Sequence, residues 1–201
     1  MRLYLVRHAR TNHNVEQLTQ GWTDTELDAE GVRQAGAVAK FFADKELAHI
    51  YSSDHRRAMQ TALPTSLLKG VEIVATDLLR ERNLGQLENV PMSTLRTAFE
   101  DEIQQTGESR YRVRPRGCES AYDVLARTIE FTRLIEDDMG DVAIFTHGMT
   151  KEVLLCHLIG APVESSRSFS FDNASITVLR RDYDVWVLEV YNHTEHTKPN
   201  F

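Results

Sequence analysis

Cysteine is scarce in this 201-residue chain, which holds only Cys118 and Cys156. They form no CxxC and no metal-ligand spacing, which argues against a disulfide framework and for two free thiols in a reducing compartment. Long apolar runs are also missing. None approaches ~18 residues, the length a membrane helix needs. The apolar stretch at the start, in MRLYLVRHAR, is broken by Arg7. Neither a signal peptide nor a membrane span is expected, and the reading is a cytoplasmic protein. Positive charge falls short of negative: 23 Lys and Arg face 30 Asp and Glu, a formal net charge of -7. That counts against general nucleic-acid binding and against attraction to an anionic membrane. No internal repeat and no low-complexity segment occurs.

What is present suits one domain, residues 1–201, with a sizeable core and an insertion at 86–117. Leu3 to Val6 reads as a buried strand that stops at Arg7 and His8. A polar loop runs to Asp28, and Gly31 to Leu47 has helical periodicity through Ala35, Val38, Ala39 and Phe42. Ile50 to Ser52 is a second strand. Ser53 or Asp54 can cap the next helix, which runs to about Leu68 with a kink or early end at Pro64. Val71 to Ala75 is a third strand. The rhythm then breaks at Gln86 to Gly117, with a helical stretch over Met92 to Gln105. Helices are expected at Ser120 to Asp137 and Thr150 to Ile159, around a strongly apolar strand from Asp141 to Thr146. Ser175 to Arg181 and Val185 to Tyr191 form a hairpin, and the tail from Asn192 should fray. The fold class is α/β, a mostly parallel sheet with helices on both faces and a small insertion over the active site.

Such sheets bind ligands beyond the carboxyl ends of their strands. Arg7-His8 and His147-Gly148 both stand at such ends. Neutral imidazole attacks phosphorus and would form a phosphohistidine at His8, and the Arg7 guanidinium is a planar fork of donors for phosphate oxygens. A second arginine, Arg56 or Arg57, enters a helix after the second strand. Glu81 could give a leaving alkoxide its proton. His147, protonated, could stabilise charge on the equatorial oxygens, and the backbone N–H of Gly148 opens a helix that favours an anion.

These residues fall in blocks. Leu5-Val6-Arg7-His8-Ala9-Arg10-Thr11 is followed by Asn14, then by Gln20-Gly21-Trp22 with Asp24, Leu27, Gly31 and Gln34-Ala35. Ser52-Ser53-Asp54, Arg57-Ala58 and Gln60-Thr61-Ala62 come next. Leu79-Arg80-Glu81 with Gly85, Gly117-Cys118-Glu119-Ser120, Thr146-His147-Gly148 and Asn173-Ala174-Ser175 complete the set. In this order, over nearly the whole length, the chain resembles the histidine phosphatase superfamily, the phosphoglycerate mutase-like proteins. The resemblance implies that His8 is the phosphorylated nucleophile and Glu81 the proton donor. It implies that Arg7, Arg57 and His147 hold the phosphoryl oxygens and that Asn14 contacts phosphate or substrate. It selects Arg57 over Arg56, and it implies chemistry without metal or cofactor on a small phosphorylated substrate.

Three positions depart from the family pattern. Ala9 and Asn89 stand where glycine is usual, and Arg10 where glutamate is usual. If position 9 requires positive φ, alanine is costly there; otherwise its methyl is harmless. Arg10 either draws a more anionic substrate or points into solvent. In the insertion, Arg110, Arg112, Arg114 and Arg116 alternate and would share one side of an extended segment. Arg114 and Arg116, with Arg10, are candidates to bind a second anionic group; the alternative is a solvated basic strip. The resemblance favours a phosphatase. A mutase-type phosphotransferase and a non-catalytic phosphate-binding protein with a decayed site stay open. No patch declares an oligomer interface, and a dimer through an edge strand or exposed helix stays open as well.

Overall fold

A computed structural model describes residues 1–136 and 138–198. Six strands form one sheet: β1 (Arg2–Arg7), β2 (His49–Ser53), β3 (Ile73–Thr76), β4 (Val142–Thr146), β5 (Ile176–Asp182) and β6 (Val185–His193), in the order β3-β2-β4-β1-β5-β6. The first four strands in that order run parallel, while β5 lies antiparallel to β1 and β6 antiparallel to β5. Helices fill the connections: α1 (Asn12–Glu16), α2 (Ala29–Phe41), α3 (Arg56–Lys69), α4 (Met92–Thr106), α5 (Ala121–Leu134) and α6 (Gly148–Leu158).

Alternation along β1 places helices on both faces. Tyr4 and Val6 pack with Val38, Phe42 and Ala62 of the α2–α3 side, and Leu3 and Leu5 pack with Phe131, Leu154 and Leu155 of the α5–α6 side. β4 is buried at every residue, as a central strand covered twice must be. The segment between Leu84 and Cys118 has a small core of its own, in which Leu84, Leu87, Ala98, Phe99, Val113 and Cys118 cluster. Both cysteines are free and buried. Among the described residues no helix is long and apolar enough to cross a membrane.

Several elements differ from the sequence expectation for identifiable reasons. The polar loop before Asp28 contains α1, nucleated by a capping box between Thr11 and Asn14. α2 starts earlier, on the Asp28 cap, and stops at Phe41, with Phe42 as its cap, rather than at Leu47. Neither Ser53 nor Asp54 caps α3. Asp54 is held by Arg80 at 2.7 Å, and the Ser53 hydroxyl faces His147 at 2.8 Å, so His55 takes the cap position without a side-chain bond. Pro64 does not end α3, because Ala58, Thr61, Ala62 and Thr65 bury that helix and Gly70 closes it at φ 67°. α5 ends at Leu134, and Asp137, the expected last residue, lies outside the described residues. The tail is docked up to residue 198: β6 continues to His193, and His196 is buried, with its Nε2–H donating to the Ala174 carbonyl at 3.0 Å. Residues 199–201 of the expected frayed tail lie outside the described residues.

Gly31 marks where α2 meets the loop after β1. A Cβ there would stand 2.0 Å from the Arg10 carbonyl oxygen, whereas nothing lies within 4 Å of one at Gly36 in the same helix. Gly31→Ala should therefore cost about 1–3 kcal/mol through overpacking. Gly36→Ala should gain about 0.5–1 kcal/mol through helix propensity. Thermal unfolding of both variants checks this, at roughly 2–4 °C per kcal/mol for a chain of this size.

Candidate active site

The register of the central strands sets the site. Arg7 is opposite Thr146, and the His8 N–H donates to the Thr146 carbonyl at 2.8 Å. His8 and His147 thus leave adjacent strand ends side by side, with ring centroids 5.2 Å apart. His55, at the cap of α3, has its ring 5.4 Å from that of His147. All three histidines are buried.

His8 Nδ1 is 2.8 Å from the Ala9 carbonyl oxygen. A carbonyl only accepts, so Nδ1 carries the hydrogen and Nε2 keeps its lone pair. Burial, then the charges of Arg57 and Arg7, push the His8 pKa well below its ordinary value. The ring is a neutral imidazole in the tautomer a nucleophile needs. Ala9 has no positive φ; its side chain is fully buried in the core, and its N–H donates to the Thr61 hydroxyl at 2.9 Å. The methyl in place of glycine is accommodated.

Arg57 is fully buried. Its Nε donates to His147 Nδ1 at 3.2 Å, its Nη1 to the Thr23 carbonyl at 2.8 Å and its Nη2 to the Gly21 carbonyl at 2.7 Å. Burial lowers its pKa to about 10, which leaves it charged at neutral pH. Arg56 instead turns outward to Glu26 and Asp24, so of the two arginines that the residues alone left open it is Arg57 that lies against His147. His147 differs from the expected imidazolium. With Nδ1 accepting from Arg57, Nε2 carries the hydrogen toward the Ser53 hydroxyl at 2.8 Å. Burial and the nearby positive charge of Arg57 hold its pKa well below the ordinary value, so the neutral ring is favoured.

Arg7 donates through Nη1 to the Phe171 carbonyl, while its Nε is buried without a protein partner. Gly148 lies against it: a Cβ at that position would be 3.7 Å from both Arg7 Nε and Glu81 Oε2. The start of α6 holds Glu81 in place. Met149 N–H donates to Oε2 at 3.3 Å and Thr150 N–H to Oε1 at 3.2 Å, joined by Arg82 N–H at 2.9 Å. The anion-favouring helix start expected at Gly148 is thus occupied one and two residues later by the protein's own carboxylate. Asn14 is fixed through its Oδ1, which accepts from Thr11 N–H at 3.1 Å and from Asn173 at 3.2 Å.

Residues that the sequence reading left without a role complete the frame. Asn173 Nδ2 reaches the His8 carbonyl at 3.0 Å as well as Asn14, tying His8 and α1 together. The Trp22 indole N–H donates to the Glu81 carbonyl at 2.8 Å, and Arg80 stacks on that indole at 4.7 Å. The block position of Asn173 was the only sequence signal for this bridge. Asn89, where glycine is usual, takes φ 58°, which asparagine tolerates.

Two of the candidates for substrate binding, Arg10 and Arg114, are engaged elsewhere. Arg10 pairs with Asp28, the α2 cap, at 2.7 Å. Arg114 forms a two-point pair with Asp123 at 2.7 Å, and Arg112 stacks on Tyr122 at 4.1 Å. Arg116 sits in a tight turn at φ 50°. The segment is a series of turns and not extended, so alternate arginines do not share a side. Of the four, Arg110 alone lines a cavity next to Glu81. Among the described residues no group of three or more His, Cys, Asp or Glu is placed to hold a metal ion.

The profile of the histidine phosphatase superfamily (branch 1) matches residues 3–194. A Hydrogenobacter thermophilus protein named "Putative phosphoserine phosphatase 2" is 30% identical over 98% of each chain. A Yersinia pestis protein named "Probable phosphoglycerate mutase GpmB" is 32% identical over 98% of this chain and 94% of its own. Among solved structures, mycobacterial glucosyl-3-phosphoglycerate phosphatase superposes with a TM-score of 0.84 at 28% identity, covering 96% of this chain and 99% of that one. Bacillus stearothermophilus YhfR superposes at 0.87 and 27% identity, covering 98% and 99%.

His8 and His147 are held neutral, and burial lowers His55 and His196 to about 4. Below the unfolded histidine value of about 6.5 the unfolded chain takes up protons that the folded chain refuses, so stability falls with pH from there downward. The four histidines contribute about 5 kcal/mol to this fall between pH 7.5 and 5.5, and Glu152, whose carboxyl is raised to about 8, offsets part of it, so Tm should drop by roughly 5–10 °C. A thermal-melt series checks this, and a flat Tm would contradict the neutral assignments.

Proposed function

The chain belongs to the histidine phosphatase superfamily, branch 1, and on that premise we propose that it hydrolyses a phosphate monoester through a phosphohistidine at His8 Nε2. The carrying observation is the bond from His8 Nδ1–H to the Ala9 carbonyl at 2.8 Å, which directs the lone pair to Nε2. The P–Nε2 bond forms as the ester P–O bond breaks. Arg7 and Arg57 supply charge to the non-bridging oxygens, and Asn14 Nδ2 a further donor. A phosphoryl dianion beside His147 raises that ring's affinity for a proton, so it becomes a donor in the loaded site. Glu81, in its acid form, gives the leaving alkoxide its proton. Water then attacks phosphorus, Glu81 takes the water's proton, and cleavage of the P–N bond restores neutral His8.

Hydrolysis is supported by the phosphatase names among the relatives and by the short 86–117 insertion. The mutase name among relatives of similar identity keeps phosphotransfer as the competing reading. Phosphate release from an aryl phosphate in the presence of chelator tests the proposal. The wild type should turn over steadily, and His8→Ala should lose at least about a thousandfold in kcat/KM. A stable phosphoenzyme formed from a bisphosphate, without steady release, would instead favour the mutase.

A further inference from the structure

A cavity of about 410 Å³ opens beside Glu81, with Arg82, Arg96, Arg110, Arg167, Phe99 and Glu152 in its lining. Resting on the phosphomonoesterase reading above, we propose that this cavity receives the alcohol portion of the substrate. We propose further that this portion carries a second anionic group, a carboxylate or a second phosphate, bound by Arg96, Arg110 and Arg167 with Arg82 behind them.

Placement is the first argument. The backbone N–H groups of Arg82 and Met149 hold the Glu81 carboxylate, and both side chains line the cavity. An ester oxygen that takes its proton from Glu81 has its carbon chain on that side. The second argument is charge. The chain carries a net charge of -7, yet four arginines meet here around one carboxyl group. Several arginines elsewhere are paired, as Arg33 is with Glu30 and Arg114 with Asp123, and Arg112 and Arg181 stack on Tyr122 and Trp186. Among the described residues Arg96, Arg110 and Arg167 enter no ion pair. Glu152 does not cancel them, because burial and the charge of Glu81 push its carboxyl up to about 8 and leave it mostly neutral at pH 7.

The third argument is an unmet hydrogen bond. Arg82 stacks over Phe99 at 4.3 Å and donates to the Glu119 carbonyl, but its Nη2 is buried without a partner. A buried charged donor left unpaired is costly, and an anion in the cavity would satisfy it. The apolar wall of Met92, Leu95 and Phe99 along α4 suits the carbon body between the two anions.

Calorimetric binding of three phosphonates of equal chain length tests this, ending in a methyl, a carboxylate or a second phosphonate. The wild type should bind at least one anionic-ended ligand about tenfold or more tighter than the methyl-ended one, as expected of charge-assisted hydrogen bonds. In the triple variant Arg96→Gln, Arg110→Gln, Arg167→Gln that preference should shrink to about threefold or less. The anionic end that binds tighter identifies the natural group. Equal affinities in the wild type, or a preference that survives the triple substitution, overturns the proposal. Aryl phosphate hydrolysis separates it from the reading beneath it. Turnover without any phosphonate preference removes this subsite alone, and a phosphonate preference without turnover removes hydrolysis alone.

Discussion

Everything at the site hangs on the parallel pairing of β1 with β4. The His8 N–H is bonded to the Thr146 carbonyl, so His8 and His147 start from neighbouring, hydrogen-bonded backbone. A one-residue slip would turn both histidines toward opposite faces. The register is held by fully buried Leu3, Leu5 and Val6 against Val142, Ala143, Ile144 and Phe145, with a helix layer on each side. Core packing therefore does the positioning, and the loops after the strands supply the chemistry.

That positioning has an electrostatic consequence. Arg57 is fully buried, and Arg7 Nε lies buried beside Gly148. Each is held by backbone carbonyls: Arg57 by Gly21 and Thr23, and Arg7 by Phe171. Carbonyl dipoles orient the cations without cancelling them, so an acidic protein keeps a concentrated positive field where His8 sits. The same field, with burial, keeps the histidines neutral, which is the state in which imidazole is nucleophilic. The Glu81 carboxyl group is held at the start of α6, and its backbone carbonyl by the Trp22 indole.

Much of the site was legible because the chemistry sits at strand ends. An apolar run stopping at Arg7-His8, and another stopping at His147, were enough to bring the histidines to one edge of a sheet. The arginines were less legible. In an extended strip the arginines from Arg110 to Arg116 would share a side, but Ser109 and Pro115 fold it into turns that send Arg112 to Tyr122 and Arg114 to Asp123. Arg96 and Arg167, in α4 and in the turn before Phe169, come together with Arg110 only when the chain closes. The docked tail was missed for the same reason, since His196 is buried against Ala174 and Phe41, neither of which is near in sequence.

By itself the sequence determined the α/β class, the parallel core, the residues that reach its carboxyl edge and the family they resemble. The first three follow from the spacing of apolar and polar residues along the chain, which local periodicity records, and the resemblance rests on the motif blocks around Arg7-His8, Arg57, Glu81 and His147. The tertiary structure alone decided which tautomer each histidine adopts, which helix start Glu81 occupies, and which arginines are paired and which are unpaired. Those depend on hydrogen-bond partners drawn from segments far apart in the chain, and on burial, which removes water as the alternative partner.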